Sequence, residues 1–212
     1  LIREIPAPDL HEWLRRCTET LRLRAAVVAT TTDQLYGLCR ELHDDFGLEA
    51  DSVLASELTN DRIPLPLRRA DIIVTTAAHA GRVSALGATL QKPVQVIEVR
   101  PDLIVGEWAM LLRRPVYVVV ATPEFGKMIR DFFASVEGIE NLHLVVLGRD
   151  DVSSIPADAP TYVTQGVRAK LAGVRIPGRI LPTARTISAK SAREIFGFIV
   201  DSNIEAMSRL AP

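Results

Sequence analysis

The sequence predicts an α/β fold of two Rossmann-like lobes, each built on a mostly parallel, doubly wound sheet. Four short apolar runs each stop at a cluster of small polar or charged residues, at 30–33, 75–79, 121–124 and 148–151. Continuous apolar runs are typical of parallel strands that are buried on both faces. Predicted strands and helices alternate, and the order β-α-β-β-α-β-α occurs twice, with a natural boundary at 112–116. The repeat of this order indicates two similar lobes.

The first lobe is predicted at residues 25–114, after a linker and first helix at 1–24 that Asp9 is expected to cap. A helix after the first strand should end at Gly47, because glycine readily takes the left-handed conformation found there. The proline-containing stretch 60–69 is expected to be a loop. Strands are expected at 25–30, 52–58, 71–75 and 94–99, and two further helices at 78–90 and from Asp102 onward.

The second lobe is predicted at residues 115–187, with strands at 116–121, 142–147 and 161–163. Thr122 is expected to cap its first helix, because Pro123 stands at the first helical position that prolines favour. Thr164 is expected to cap a second helix that reaches residue 171. Short extended pieces should follow at 175–186, since this stretch contains two prolines and a glycine.

A C-terminal helix is predicted at residues 188–212, and it would return to lobe 1. It should begin at Ser188 or Ser191, because serine side chains cap helices well. Ser191 and Glu194 have the spacing of a capping box, in which each side chain binds a backbone N–H of the other's turn.

Composition and charge limit the classes of function that the sequence supports. The chain has 48% hydrophobic residues, enough for a substantial core, and a net charge of −1, which gives no basic excess for nucleic-acid binding. Cys17 and Cys39 lack metal-site spacing and are expected to be buried, reduced thiols. No apolar run of bilayer length and no signal peptide are visible, so we expect a cytoplasmic protein.

Motifs of established enzyme classes are absent from the sequence. It contains no phosphate-binding loop, no dinucleotide-binding glycine pattern, no zinc-protease motif and no serine-hydrolase motif. The four histidines are isolated, and no paired acid and base can be identified. We therefore expect no catalytic residues, no metal and no cofactor, and the chain is not expected to be an enzyme.

Candidate ligand-binding residues of the first lobe lie just after its predicted strands, where open α/β sheets bind ligands. Hydroxyls at 30–32 fit two compatible roles, helix capping and contact with an anionic or polyhydroxyl ligand. His79 fits a ligand hydrogen bond or a plain surface position, and Arg100 fits recognition of a carboxylate or phosphate or a salt bridge. The candidates are Thr31, Thr32, Thr75, Thr76, His79 and Arg100.

The second lobe has an equivalent set at its predicted strand ends. Arg149 is favoured over Arg100 as a ligand contact, and Trp108 fits core packing or, because it lies in the segment between the lobes, contact with a ligand or second subunit. Each threonine in the set could also be only a helix cap. The candidates are Thr122, Arg149, Asp150, Thr164 and Gln165.

Several segments resemble the C-terminal effector-binding domains of GntR-family transcriptional regulators. They are 70–76, 92–94, 99–103, 114–120, 147–151, 159–164 and 191–194. The resemblance implies a two-lobed sensor, similar to periplasmic binding proteins, that binds a small polar effector between its lobes. The strand-end threonines, with Arg100 and Arg149, suggest that this effector is a small anion. The resemblance also implies a homodimer that contacts DNA only through an N-terminal winged helix-turn-helix, which residues 1–23 are too short and too weakly basic to form.

Two other classes of function stay open at this stage. An enzyme could use the same two-lobed scaffold, because fold alone does not decide function. A solute-binding protein of a transporter would use the same cleft, although the two cysteines fit a reducing compartment better. In a sensor, the ligand would favour one angle between the lobes and so change the spacing of paired DNA-binding modules.

Overall fold

Two parallel four-stranded sheets with the same strand order form the two lobes. The structure is a computed structural model that describes residues 7–59, 62–171, 173 and 175–210. The first sheet has the order β2-β1-β3-β4 and the second has the order β6-β5-β7-β8. This confirms the predicted α/β fold of two Rossmann-like lobes. The strands are β1 (Arg24–Ala29), β2 (Glu49–Leu54), β3 (Ile72–Thr76), β4 (Val94–Ile97), β5 (Val116–Val120), β6 (Leu142–Val146), β7 (Pro160–Val163) and β8 (Arg179–Ile180).

The central strands are apolar because both of their faces are covered. Val27 and Ala29 of β1 belong to one core cluster, whereas Ala26 and Val28 belong to another, on the opposite face of the sheet. All four side chains are fully buried. The alternation of faces along a strand therefore accounts for the continuous apolar run.

Eight α-helices are assigned within the described residues. They are α1 (Ala7–Glu19), α2 (Thr32–Phe46), α3 (Leu65–Arg69), α4 (Ala80–Leu90), α5 (Ala109–Leu111), α6 (Pro123–Phe132), α7 (Gln165–Arg168) and α8 (Ala189–Leu210). Helix α2 begins after Thr31, whose hydroxyl accepts from the N–H of Gln34, and ends at Gly47 with a left-handed φ of 66°. Both ends of α2 are as predicted. No helix in the described part of the chain is both long and apolar enough to span a bilayer.

Three local predictions for the N-terminal half of the chain are wrong. The second strand was expected at 52–58, but β2 begins at Glu49 and its end is followed by a 3₁₀ turn at Ala55–Glu57. The expected loop at 60–69 contains helix α3. Pro66 lies in its first turn, where the backbone N–H that proline lacks is not needed for helical hydrogen bonding. Residues 60 and 61 lie outside the described residues. Helix α1 begins at Ala7, so Asp9 lies inside it and is not its cap.

The start of α8 uses Ser188 rather than the predicted capping box. The hydroxyl of Ser188 accepts a hydrogen bond from the N–H of Ser191. Ser191 accepts from the N–H of Glu98, and Glu194 accepts from the side chain of Gln95. Both residues of the expected box therefore bind lobe 1, where β4 lies, and not each other.

Two chain segments cross between the lobes and pair with each other. The N–H of Arg100 donates to the carbonyl of Thr186 over 2.9 Å, and the N–H of Ser188 donates to the carbonyl of Glu98 over 2.8 Å. Beyond the first crossing, residues of 103–112 pack in the core of the second lobe, and Leu112 is fully buried there. The crossing therefore lies nearer to residue 100 than the predicted boundary at 112–116.

Helix α8 follows the second crossing and packs on lobe 1. Ile195 and Ile199 belong to the same core cluster as Val27 of β1. The side chain of Asn203 accepts from the N–H of Leu21 over 2.7 Å, which ties α8 to the segment between α1 and β1. These contacts place the C-terminal helix against lobe 1, as predicted.

Candidate functional site

The carboxylate of Asp33 joins the two lobes at the carboxyl ends of their central strands. Both oxygens lie within hydrogen-bond distance of the N–H of Ala121, at 3.0 and 3.2 Å. The hydroxyl of Thr122 donates to Oδ2 over 3.0 Å, and the hydroxyl of Thr164 donates to Oδ1 over 2.5 Å. Asp33 is only 2% exposed, so these donors replace the water that its charge would otherwise bind.

These hydrogen bonds determine whether the side chains of Thr122 and Thr164 cap the helices that follow them. Thr122 precedes α6 but forms no side-chain cap there, because its hydroxyl donates to Asp33. Thr122 therefore stands at the N-cap position, as predicted, but its side chain makes no capping hydrogen bond. Thr164 does both: its oxygen accepts from the N–H of Val167, as a cap, while its hydrogen is donated to Asp33.

Gly166 allows the close approach of α7 to α2. A Cβ added at Gly166 would lie 2.8 Å from Oδ1 of Asp33 and 3.1 Å from its Cα. The first distance is shorter than any ordinary carbon–oxygen contact. A side chain at this position would therefore push the lobes apart.

Hydroxyls at the strand ends of lobe 1 are mostly bonded within the lobe. Thr75 donates to the carbonyl of Val28 over 3.0 Å, which ties β3 to β1. Thr30 and Nε2 of His79 lie 2.9 Å apart, within hydrogen-bond distance. The hydroxyl oxygens of Thr32 and Thr76 are buried and have no partner among the described residues.

A cavity of about 230 Å³ lies beside this junction, between α2 of lobe 1 and α6 of lobe 2. The two crossing segments contribute to its wall, through Val99 and Leu103 on one and Ala184 and Thr186 on the other. Most of the lining is apolar. Large apolar side chains of the wall include Leu38, Ile97, Trp108, Phe125, Met128, Ile129, Phe132, Phe133 and Tyr162.

Aromatic rings from three elements form one side of the cavity. The ring centre of Trp108 lies 4.9 Å from that of Phe133 and 5.7 Å from that of Tyr162, with the second pair nearly perpendicular. Trp108 is 6% exposed, and burial raises the pKa of the Tyr162 phenol. Aromatic pairs at these separations contribute more stabilisation than the burial of their apolar surface alone would give. The aromatic wall is therefore held in a defined arrangement.

Charged residues on the wall are bonded to other groups of the protein. The buried carboxylate of Glu41 accepts from the N–H and hydroxyl of Thr186 and from the N–H of Ile187, over 2.7 to 3.0 Å. Arg40 binds Asp44, and Arg185 binds Asp45, each over 2.7 Å. With Asp33 held by lobe 2, all four charged side chains of the wall have partners.

The structure brings only some of the predicted site residues together. Thr76, Thr164 and Gln165 lie on the wall of the cavity. The remaining first-lobe candidates, Thr31, Thr32, Thr75 and His79, lie at nearby strand ends but not on this wall, and the same is true of Thr122.

The predicted arginines lie elsewhere. Arg100 pairs with Asp102 and lies 3.5 Å from Glu107, so the salt-bridge alternative is confirmed, and Asp102 does not cap a helix with its side chain. Arg149 is exposed, and Asp150 accepts from the N–H of Val146 over 2.8 Å, which closes the turn after β6. Neither Arg149 nor Asp150 lines the cavity.

Neither buried carboxylate of α2 was among the predicted site residues, and of the aromatic wall only Trp108 was considered for ligand contact. Asp33 and Glu41 are eight residues apart, a spacing that puts two side chains on the same face of a helix. Acidic residues inside an apolar helical stripe, here beside Leu38 and Leu42, would have been the available signal. Such charges are rarely buried without a partner, and the partners here come from distant parts of the chain.

Within the described ranges, no three His, Cys, Asp or Glu side chains are grouped so that they could hold a metal ion. Both cysteines are free; Cys17 is buried, and burial raises the pKa of the Cys39 thiol to about 12. Neither a protein-family model nor a curated protein matches the chain.

Proposed function

We propose that this chain is the ligand-sensing, effector-binding domain of a bacterial transcriptional regulator, with its small-molecule site between the two lobes. The observation that carries the proposal is the cavity between α2 and α6, bounded by both crossing segments. Small-molecule sites are concave, mostly apolar and common at the junction of two units. No catalytic residue, metal or cofactor enters the proposal.

The mechanism is a shift in the population of lobe arrangements. A ligand in this cavity would contact side chains from both lobes, so its binding free energy would depend on the angle between them. The paired crossing segments at Arg100 and Thr186 are the natural hinge, since they carry the chain from one lobe to the other. The ligand would favour the arrangement in which Asp33 is bonded to lobe 2.

In this proposal, the shift in lobe arrangement changes DNA binding by an N-terminal winged helix-turn-helix of the same polypeptide, outside these 212 residues. A net charge of −1 fits a domain that does not itself bind phosphate backbones. A homodimer would convert the angle within each sensor into the spacing of two DNA-binding modules. The proposed location is the cytoplasm, where such a regulator meets both metabolites and DNA.

Solution X-ray scattering of the chain tests the proposal. A library of metabolites is first screened for compounds that raise the melting temperature, and the radius of gyration is then measured with and without each hit. We expect at least one hit to reduce the radius of gyration or narrow the distance distribution. The sensor mechanism fails if saturating hits leave the scattering unchanged.

The natural polypeptide that contains this chain provides the second measurement. Its binding to its own promoter DNA should change when the same hit is added, because ligand and DNA are linked through the lobe arrangement. Binding to DNA that is indifferent to every hit would contradict a sensing role.

A further inference from the structure

We infer that the ligand of this cavity is an uncharged molecule with a flat aromatic body and one hydrogen-bonding group. This inference rests on the proposed function for the location of the site, and it replaces the small anion that the strand-end threonines and arginines suggested. It is carried by the pairing of the wall charges, the aromatic side of the cavity and the unpartnered hydroxyl of Thr76.

The wall offers an anion no free positive charge. Its two arginines, Arg40 and Arg185, are both bound to aspartates. Its two carboxylates, Asp33 and Glu41, would repel a negatively charged ligand. Moving a carboxylate or phosphate from water into such a site costs several kcal/mol when no opposite charge is freed to receive it. A neutral ligand avoids this cost.

The aromatic side of the cavity favours a flat ligand. Trp108 pairs with Phe133 and with Tyr162, and all three line the cavity, as do Phe125 and Met128 of α6. Aromatic rings pair well in offset or edge-to-face arrangements, and a methionine thioether adapts to ring edges. An aromatic ligand would extend the existing cluster of rings.

The size of the cavity supports a ligand of one or two fused rings. Its volume is about 230 Å³. A dry apolar cavity of about 150 Å³ is enough to bind one benzene molecule. The space here is therefore sufficient for a ring system somewhat larger than benzene.

One end of the ligand would carry a hydrogen-bonding group. Among the residues that the structure describes, the buried hydroxyl oxygen of Thr76 has no hydrogen-bond partner, and Thr76 is part of the wall. The Gln165 side chain, also on the wall, makes only a long bond of 3.4 Å to Thr183. A buried hydroxyl without a partner is unfavourable, and a ligand N–H or O–H that reached it would remove that cost.

Gly37 supplies a way to fill the cavity without disturbing its walls. It lies on α2 and lines the cavity, and a Cβ added there would meet no atom within 4 Å. A leucine at this position should extend into the cavity. Gly197 of α8 is a matched control, since it is also helical, also has free space around an added Cβ and does not line the cavity.

Calorimetric titration with indole, indene, citrate and glucose 6-phosphate tests the inference. We expect indole to bind with a stoichiometry of one and the two anions not to bind. Gly37→Leu should weaken indole binding at least tenfold, whereas Gly197→Leu should leave it unchanged. Indene, which has the same shape as indole but no N–H, should bind several-fold more weakly, and Thr76→Val should remove that difference.

Each result has a defined meaning. Binding of citrate or glucose 6-phosphate, or no binding of indole, overturns the neutral aromatic ligand. Indole binding that Gly37→Leu does not weaken places indole outside this cavity and also overturns it. If indole binds as expected but leaves the solution scattering unchanged, the inferred ligand class stands and the sensor mechanism fails. If only an anion binds, and it changes the scattering, the sensor mechanism stands and the inferred ligand class fails.

Discussion

The hydroxyl of Thr164 donates to the carboxylate of Asp33 over 2.5 Å, although the two residues are 131 positions apart in the chain. Asp33 belongs to the first turn of α2 in lobe 1, and Thr164 follows the last residue of β7 in lobe 2. Two turns further along the same helix, Glu41 binds the second crossing segment at Thr186. Helix α2 therefore binds lobe 2 at one end and the second crossing segment near its middle.

Replacing Asp33 by alanine should destabilise the protein and open the two lobes. The change leaves the N–H of Ala121 and the hydroxyls of Thr122 and Thr164 without their acceptor. We expect a loss of about 2–4 kcal/mol in the free energy of unfolding, because several buried donors lose a charged partner together. Urea denaturation measures the loss, and solution scattering should show a larger radius of gyration.

Asp44→Ala is the control for that change. Asp44 lies on the same helix, but its carboxylate pairs with the exposed Arg40, and such pairs add little to stability. It should leave both the unfolding curve and the scattering close to those of the unchanged protein. An Asp33→Ala protein as stable and as compact as Asp44→Ala would show that the carboxylate does not hold the lobes together.

Gly166→Ala should separate the lobes by a different route. The added methyl would lie 2.8 Å from Oδ1 of Asp33, and both positions are buried, so α7 must move away from α2. We expect a loss of about 1–3 kcal/mol, which is typical of adding one group to a packed interior. Thermal unfolding is the measurement.

Gly126→Ala is the matched substitution within the same lobe. Its added methyl would meet Val120 and Leu144 at 3.5 and 3.6 Å, which are ordinary contacts. Because alanine favours a helix more than glycine does, this change should be neutral or stabilising. Equal effects of the two substitutions would mean that contact with Asp33 is not what makes Gly166 necessary.

The sheets could be predicted from the sequence because the signal for a buried parallel strand is local. Val116–Val120 is five apolar residues in a row, and it forms β5 at the predicted position. The edge strand of the first sheet was harder to predict, because β2 has exposed acidic residues at Glu49 and Asp51 that interrupt the apolar run. A strand at the edge of a sheet has one side open to solvent, so its composition carries less information.

The candidate site could be predicted only in part. Residues at strand ends, such as Thr76 and Thr164, follow from the fold and do line the cavity. The partners of Asp33 come from two other segments of the chain, and nothing within α2 itself identifies them. Arg100 illustrates the opposite case, because an arginine near a strand end looks the same in sequence whether it binds a ligand or, as here, Asp102.

The thiol of Cys39 should resist modification in the folded protein. Burial raises its pKa to about 12, and the charge of Asp51 acts in the same direction, so it stays protonated at pH 8. Thiol titration with Ellman's reagent at pH 8 should be slow for Cys39 and fast after unfolding in guanidinium. Cys17→Ser isolates the Cys39 signal, and rapid reaction of this variant while folded would contradict the prediction.

The same pKa shift predicts a loss of stability at high pH. The unfolded thiol releases its proton near pH 9 and the folded one near pH 12, so the unfolded state binds fewer protons between these values. The contribution of Cys39 to the free energy of unfolding should therefore fall as the pH rises from 9 towards 12. Cys39→Ala should show a smaller fall than the unchanged protein when both are unfolded by urea across this range.

Glu41→Gln should loosen the second crossing segment while leaving each lobe folded. The carboxylate of Glu41 faces only donors, the N–H groups of Thr186 and Ile187 and the Thr186 hydroxyl. An amide would turn an NH₂ group towards some of these donors, so we expect a loss of about 1–3 kcal/mol in the free energy of unfolding. Amide hydrogen exchange at residues 186 and 187 should accelerate, because their N–H groups lose a charged acceptor.

Glu98→Gln separates this effect from a general loss of charge near the crossing segments. Glu98 lies in the other crossing segment, and its carboxylate forms an exposed pair with Lys190, while its backbone groups pair with Ser188 and Ser191 in either variant. It should change stability far less than Glu41→Gln, because exposed ion pairs contribute little. If both substitutions accelerate exchange at residues 186 and 187 equally, the Glu41 carboxylate is not the group that holds the second crossing segment in place.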